Sequence, residues 1–411
     1  MRDSVAWLYG LQTHGIKLGL TGIRSLLALL DHHEDELSIV LVGGTNGKGS
    51  VAAMLDAMLA AAGRRSGLYT SPHLVRPEER IRIAGADIDS RVFDEILARV
   101  RDAAERLPVH PSFFEVMTAA ALVAFREAKV GDAVLEVGLG GRLDATNATE
   151  PRVSAIVTVD LDHVAILGGT LPAIAAEKAE IARAGRPLVS GIEQEEAIAV
   201  VRSHCAAIGA TFLDARDAPL PEPVDLALAG EHQRANARVA VATFCAYASA
   251  AGFPAAEGAI RRGLASARWP GRLQRLAGAP EMLLDGAHNA AGAEALARYL
   301  AARPGPRPVL VFAAMADKDA GAILSPLVPH VAAAVMTRPP VERAAEPGVL
   351  AGLARRLGLS AEARTEPLAA IARAREVAGP EGTVLVAGSL YLIGAVLALL
   401  EGPEAPGPIS M

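Results

Sequence analysis

Apolar runs of strand length alternate with stretches of helical periodicity along the whole chain, which predicts an α/β architecture with largely parallel sheets. The first clear unit is the apolar strand Ile39-Val40-Leu41-Val42. The turn Gly44-Thr45-Asn46-Gly47-Lys48-Gly49-Ser50 follows, and then a helix expected from about Lys48 to Ala62. Val51, Met54, Leu55, Met58 and Leu59 fall on one face of that helix, and Gly63 suits the position just past its end. Two later strands end in polar groups. Ala133 to Val137 carries Glu136 and runs into Gly138-Leu139-Gly140-Gly141, and Ala155 to Val159 runs into Asp160-Leu161-Asp162-His163. Ligands of open α/β sheets bind at the C-terminal strand edge. The glycine-rich turn, Glu136 and the Asp162-His163 pair are therefore expected on one edge.

A boundary is expected near Trp269-Pro270-Gly271, because a fresh alternation begins beyond it. Its strands are Met282 to Leu284, Val309 to Phe312, Ala333 to Met336 and Thr383 to Ala387, which predict a Rossmann-like domain of ~140 residues. The division expected is residues 1–270, a P-loop ATPase-like domain with a mostly parallel sheet, and 271–411, the Rossmann-like α/β domain. The uncharged stretch Thr383 to Leu400 approaches membrane-spanning length. It opens as a strand and breaks at Gly388-Ser389, so it is expected to be a buried strand–turn–helix. The tail Gly402 to Pro408 is expected to be disordered.

Composition narrows the function. The 411 residues are 51% hydrophobic and 21% charged with a formal net charge of −6, which fits a globular enzyme and argues against broad binding to nucleic acid or anionic membrane. The two cysteines, Cys205 and Cys245, lie in apolar helical segments. They are expected to be two buried thiols rather than a disulfide or a zinc site. No apolar signal core follows Met1 to Trp7, and a cytoplasmic location is expected.

The turn at residues 44–50 carries the strongest chemistry. Its glycines let backbone N–H groups surround phosphate oxygens, the following helix N-terminus adds positive potential, and Lys48 adds a mobile charge. The predicted ligand is a nucleoside triphosphate, ATP above all. Gly49 stands where the common pattern has Ser or Thr, and the hydroxyl comes one place later at Ser50. Glu136, inside an apolar strand, needs a cation or donors. A magnesium ion shared with the triphosphate and a structural ion pair, for instance with Arg142, are equally open readings. His163 is either a metal ligand, with Asp160 and Asp162 supporting it, or a satisfied histidine at a strand end. Lys178, on a helix opened by Thr170 and Pro172, reads as part of a solvated Glu-Lys face. Asn236 reads as an ordinary polar helix residue and Arg272 as a surface arginine. Asp285, His288 and Asn289 cluster more suggestively on a turn after a strand.

Taken in order, these motifs resemble a known family. They are the glycine-rich turn, Thr70-Ser71-Pro72-His73-Leu74, Phe113-Phe114-Glu115, Glu136 to Asn147, Asp162-His163, Glu177-Lys178, His232-Gln233 with Asn236, Pro270-Gly271-Arg272, Asp285 to Asn289 and Gly388-Ser389-Leu390-Tyr391. The set resembles the folylpolyglutamate synthase/dihydrofolate synthase family of the Mur ligase superfamily, over roughly residues 5 to 395. Folate ligases carry Gly-Ser after the lysine, as Gly49-Ser50 does here. A turn at residue 44 leaves no room for the UDP-binding domain that precedes it in peptidoglycan ligases.

The resemblance implies that Gly44, Thr45, Asn46, Gly47, Lys48, Gly49 and Ser50 bind ATP, with Lys48, Lys178 and His163 catalytic. It implies Ser71, Glu136 and His163 as magnesium ligands, with a carbamylated Lys178 helping to organise a second ion. Asn236, Arg272, Asp285 and His288 would contact ATP across the domain cleft. Ser112, Phe113, Phe114, Glu115, Leu143, Asp144 and Ala145 would line the pteroate pocket. Where the family commonly has glycine two residues past the lysine, this chain has Glu180, expected to point elsewhere on the helix. The implied reaction adds L-glutamate to dihydropteroate or a reduced folate, or both, through an acyl phosphate. A monomer with no nucleic-acid or membrane partner is expected. A Mur-type ligase for another carboxylate, a P-loop kinase or NTPase, and an inactive nucleotide-binding module are the rival readings.

Overall fold

The computed structural model describes residues 3–11 and 19–401, so the expected disorder of Gly402 to Pro408 lies outside the described residues. The chain forms two compact units. Among the described residues the first is 3–11, 19–72, 77–227 and 233–268, and the second is 73–76, 228–232 and 269–401.

In the first unit the strands are β1 (Ser38–Gly43), β2 (Ser66–Tyr69), β3 (Ile81–Ile83), β4 (Ala86–Asp87), β5 (Asp132–Glu136), β6 (Val153–Ile156), β7 (Pro187–Ser190) and β8 (Thr211–Asp214). They make one sheet in the order β4-β3-β2-β5-β1-β6-β7-β8. All pairings from β2 to β8 are parallel, and β3 and β4 add an antiparallel edge. A parallel sheet needs cover on both faces. Ile39 and Leu41 of β1 join the core made with the helices Ser90–Ala104 and Phe113–Glu127. The helix Lys48–Ala61 packs on β1, β2 and β5, and the helix Glu257–Ser266 packs on it in turn. That contact is close enough that a Cβ on Gly263 would lie 2.5 Å from Met58 Cγ. This explains why the Lys48–Ala61 helix is buried beyond the single face its periodicity marks.

The connection leaving β1 runs toward β2 on one side of the sheet, and the connection leaving β6 runs toward β7 on the other. The divergence opens a crevice above the C-terminal ends of β1 and β6, with β5 alongside. At the opposite end a polar knot pins the strand starts. Buried Asp132 accepts from Arg64 Nε at 2.8 Å and from the Tyr247 hydroxyl at 2.7 Å, and that hydroxyl also reaches the Ser38 carbonyl at 3.1 Å.

One strand differs from expectation. β6 stops at Ile156 rather than Val159, because the next residues bond to the glycine-rich turn instead of a neighbouring strand. One cysteine also differs. Cys205 is buried as expected, whereas Cys245 is exposed on the outer side of the helix His232–Ala251; both are free thiols.

The second unit contains β9 (Gln274–Leu276), β10 (Glu281–Leu284), β11 (Val309–Phe312), β12 (Ala333–Met336), β13 (Ala361–Ala363) and β14 (Thr383–Ala387), in the order β13-β12-β11-β14-β10-β9. Only β9 runs antiparallel. Alternate side chains of β11 go to opposite faces. Leu310 and Phe312 pack with the helices Ala290–Ala302 and Pro347–Arg356, and Val309 and Val311 pack with Pro367–Ala378 and Leu390–Glu401. Thr383 to Leu400 is thus a strand, a turn at Gly388-Ser389 and a helix. Among the described residues no helix is long and apolar enough to cross a membrane.

Asp132→Ala removes the shared acceptor of Arg64 and Tyr247 and is expected to lower unfolding free energy by about 2–4 kcal/mol. Tyr247→Phe, which removes one hydrogen-bonding group, should cost about 1 kcal/mol. Urea denaturation with unchanged slope checks both.

Candidate active site

The glycine-rich turn leaves β1 with two residues in the left-handed region, Gly44 (φ 145°) and Gly47 (φ 81°), the second capping the Lys48–Ala61 helix. Both positions are crowded. A Cβ on Gly44 would meet the Val157–Thr158 backbone at 3.2 Å, and one on Gly47 would lie 2.5 Å from Asn236 Oδ1. Between them the turn is bonded sideways: the Thr45 amide donates to the Thr158 carbonyl at 2.9 Å, and the Asn46 amide to Thr158 Oγ1 at 2.9 Å. Lys48 is half-buried and its Nζ donates to the Thr45 carbonyl at 3.1 Å. Gly49 and Ser50 are buried in the first helical turn.

Asn236 is not the solvated helix residue its sequence context indicates. It is buried, its Nδ2 donates to Gln233 Oε1 at 3.0 Å, and Gln233 Nε2 reaches Ser50 Oγ at 3.4 Å. The spacing of Gln233 and Asn236, i and i+3 on one helix, puts both amides over the turn. Gln233 carries no signal of its own in the sequence.

Lys178 departs most from its solvated reading. It is only 2% exposed, and its Nζ donates to the Gly44 carbonyl at 3.0 Å. The loop after β5 makes this burial possible. A Cβ on Gly141 would come within 2.6 Å of the Glu177 carbonyl and 3.0 Å of Lys178 Cα, so only glycine lets the helix Leu171–Ala179 sit so near. The Arg142 amide donates to the same Glu177 carbonyl at 3.0 Å. Burial, with the nearby Lys48 charge, pushes the Lys178 amine down to about 7, against the pull of Asp162, Asp144 and Asp160. Glu180 turns away as expected: it is exposed, with Oε1 3.8 Å from His204 Nδ1.

Glu136, the last residue of β5, is buried, and its Oε2 accepts the Ser71 amide at 3.1 Å. The ion pair with Arg142 does not form, since Arg142 binds Glu177 Oε1 through Nη2 at 2.8 Å and Nε at 3.0 Å. Register places Glu136 beside Val42 of β1, one residue before Gly43, which aligns with Ile156 of β6. His163, beyond β6, is 42% exposed at the side chain, with its backbone N–H on Asp162 Oδ1 at 2.8 Å. Its Nε2 lies 3.9 Å from that oxygen, so Asp162 is a neighbour rather than a direct hydrogen-bond acceptor for the ring. Among the described residues no three His, Cys, Asp or Glu side chains cluster as a metal cage.

The remaining sequence-selected residues form frames. Ser112 and Glu115 make a reciprocal capping box, Glu115 Oε2 accepting the Ser112 amide at 2.7 Å. Phe113 is buried, stacked on Tyr9 with centroids 6.1 Å apart, while half-buried Phe114 covers Gly138. Buried Asp144 binds the Leu139 amide at 2.9 Å and the Thr146 amide at 3.0 Å, shaping the glycine loop; its burial raises its pKa. Leu143 is half-buried and Ala145 buried.

In the second unit Asp285 closes the turn after β10. Its carboxylate accepts the Leu273 amide at 3.0 Å and the Ala287 amide at 2.9 Å, and burial raises its pKa against the opposing Arg272 charge. Gly286 leaves room for Arg272, whose Nη1 would lie 2.5 Å from a Cβ there. His288 Nδ1 is 2.8 Å from the Gly286 carbonyl, and Asn289 caps the helix Ala290–Ala302. Half-buried His232, named in the sequence only as part of a motif and given no role there, lies near the charges of Asp285 and Arg272, and desolvation lowers its pKa.

Residues 271–390 match the family described as Mur ligase, glutamate ligase domain. The chain is 38% identical over 419 residues to a probable bifunctional folylpolyglutamate synthase/dihydropteroate synthase of Haloferax volcanii, covering 95% of this chain and 49% of that protein. It thus spans about half the length of that relative. It is 34% identical to folylpolyglutamate synthase of Lacticaseibacillus casei, covering 98% of this chain and 99% of that one. A solved bifunctional folylpolyglutamate synthase/dihydrofolate synthase with Mn, AMPPNP and L-glutamate bound superposes with a TM-score of 0.87 at 32% identity, over 98% of this chain and 99% of that one.

The depressed Lys178 amine has a direct consequence for stability. Unfolded, the amine titrates near 10.5, and folded near 7, so between these values the unfolded chain binds the extra proton. Stability should therefore rise with pH across that window, by up to ~1.4 kcal/mol per unit. Urea midpoints from pH 7 to 9 are expected to climb in the unmodified protein relative to Lys178→Met.

Proposed function

This chain belongs to the folylpolyglutamate synthase/dihydrofolate synthase family, and from that premise we propose that it joins L-glutamate to dihydropteroate and to reduced folates at the expense of ATP. The observation that carries the proposal is the glycine-rich turn bonded into the crevice above β1 and β6, with Lys48, buried Lys178 and buried Glu136 around it. We assign residues 1–270 to the ATP-binding domain and 271–411 to the glutamate-ligase domain. The free, unpaired thiols suit the cytoplasm, where we place the protein as a monomer.

The acceptor's carboxylate oxygen forms a bond to the γ-phosphorus of ATP as the bond to the β-phosphate oxygen breaks, giving an acyl phosphate and ADP. The glutamate amine then bonds to the acyl carbon, phosphate leaves, and the nitrogen loses a proton. The first step brings two anions together. Turn amides, the helix N-terminus and Lys48 lower that repulsion. Phe114 and Leu143, the half-buried members of their segments, offer surface to the acceptor. Ser112, Phe113, Glu115, Asp144 and Ala145 hold the frame behind them. Asn236 in the first unit, and Arg272, Asp285 and His288 in the second, are assigned to ATP, with Asp285 acting through the backbone turn it closes.

Ser71, Glu136 and His163 offer a hydroxyl, a carboxylate and an imidazole, and a buried carboxylate at a phosphate-binding edge fits a magnesium ion that keeps phosphate and water ligands. Bound there, magnesium neutralises phosphate charge. An amine titrating near 7 is substantially neutral at physiological pH and can add CO2 with loss of a proton, so we assign Lys178 a carbamate.

The decisive assay is ADP release with L-glutamate and either dihydropteroate or tetrahydrofolate, with a UDP-muramyl acceptor in parallel. Release is expected only with glutamate and a pterin acceptor. Release without glutamate would make the protein an NTPase instead, and use of the muramyl acceptor would make it a different Mur-type ligase. Lys48→Ala should cut turnover at least ~100-fold with folding intact. Glu136→Gln should raise the magnesium concentration for half-maximal rate, and an unchanged titration would count against coordination. Native mass spectrometry should find added CO2 that is lost in Lys178→Met.

A further inference from the structure

The turn poses a conformational problem. Thr45 and Asn46 stand between two glycines in the left-handed region, and the local tie on their backbone is the Lys48 amine, which donates to the Thr45 carbonyl at 3.1 Å from a long, rotatable side chain. Yet loop amides stabilise phosphate only when already aimed. The fixing groups come from the segment after β6. Thr158 takes the Asn46 amide on Oγ1 at 2.9 Å and returns its hydroxyl to the Asn46 carbonyl at 3.2 Å. The Asp160 amide donates to Thr45 Oγ1 at 3.0 Å. The Asp160 carboxylate then reaches both ways: Oδ2 accepts Asn46 Nδ2 at 3.2 Å, and Oδ1 accepts Gln194 Nε2 at 3.4 Å. Gln194 precedes the helix Glu195–Ile208, so the bond ties the turn to a regular element.

A carboxylate beside a phosphate turn repels the ligand, so its presence needs a compensating use. It accepts one side-chain amide on each of its two oxygens, whereas an Asn in its place would turn a donor NH2 toward one of them. It also fixes the orientation of Gln194. Turned over, that amide would set Oε1 against the carboxylate, so the observed orientation holds although Oε1 is buried with no hydrogen-bond partner among the described residues.

We infer that Asp160, held by Gln194, is a positioning residue that locks Asn46 and the phosphate turn in the nucleotide-binding conformation. The inference rests on the proposed assignment of this turn to ATP. Asp160 touches the turn and acts on nucleotide through Asn46.

Binding of a fluorescent, non-hydrolysable ATP analogue to the full chain tests this. Asp160→Ala and Gln194→Ala should each raise Kd about 10-fold, with the melting temperature and the KM for glutamate unchanged. In an Asn46→Ala background the Asp160→Ala effect should largely vanish, because the two act in series. Unchanged Kd in folded Asp160→Ala overturns the inference, as do fully additive effects with Asn46→Ala. If Asp160→Ala does not fold, Gln194→Ala decides: an unchanged Kd overturns the inference. Failure of the unmodified protein to bind the analogue would instead overturn the ATP assignment of the turn.

Discussion

Much of the first unit is arranged around one buried bond, from the Lys178 amine to the Gly44 carbonyl. A primary amine taken from water needs a partner or must lose its charge. Here it has a carbonyl, three aspartates at longer range and a neighbouring lysine, and it settles at an amine titrating near 7. Reaching that carbonyl requires the helix carrying Lys178 to press against the loop after β5. Gly141 is what the loop concedes to that contact, and Asp144 and the Arg142 amide hold the loop in place. Bond and loop together fix where the turn begins, and the segment after β6 fixes how it continues.

The second unit uses a buried carboxylate differently. Asp285 spends both oxygens on backbone amides, binding the residue before β9 to the turn after β10, while the Arg272 charge opposes the effect of its burial. A carboxylate so occupied is an organiser of backbone before it is a ligand for anything else. Glu136 contrasts with it. One oxygen meets the Ser71 amide at a crevice edge, a setting suited to an exchangeable hard cation.

What could be seen in the sequence follows the range of the interactions. Strands β11, β12 and β14 show in the chain as they fold, because an apolar run bounded by turn residues is local information. The glycine-rich turn shows for the same reason. Lys178 and Asn236 do not, because their burial is created by loops far away in sequence, and a Glu-Lys pair looks alike on a solvated face and a buried one. The end of β6 was hidden by a similar cause: Val157 to Val159 has strand composition, but its partner is a turn. Cys245 sits in an apolar helical segment but on its exposed side. Most of the residues proposed for metal and acceptor carry no local signal apart from the resemblance to a family, and several of them form frames, as the Ser112–Glu115 capping box does.

Gly49-Ser50 brings these threads together. A hydroxyl directly after the lysine would point from the first helical turn toward the phosphates. Here that place is bare, and the hydroxyl one residue on is 2% exposed and joined through Gln233 to Asn236. Asn236 in turn closes over Gly47. The displaced serine therefore helps to connect the helix start to the far side of the turn. With Thr158 and Asp160 gripping one flank and Asn236 the other, a segment made pliable by its glycines is held on both sides. Such preorganisation suits the phosphate-binding role proposed for a turn with so little side chain of its own.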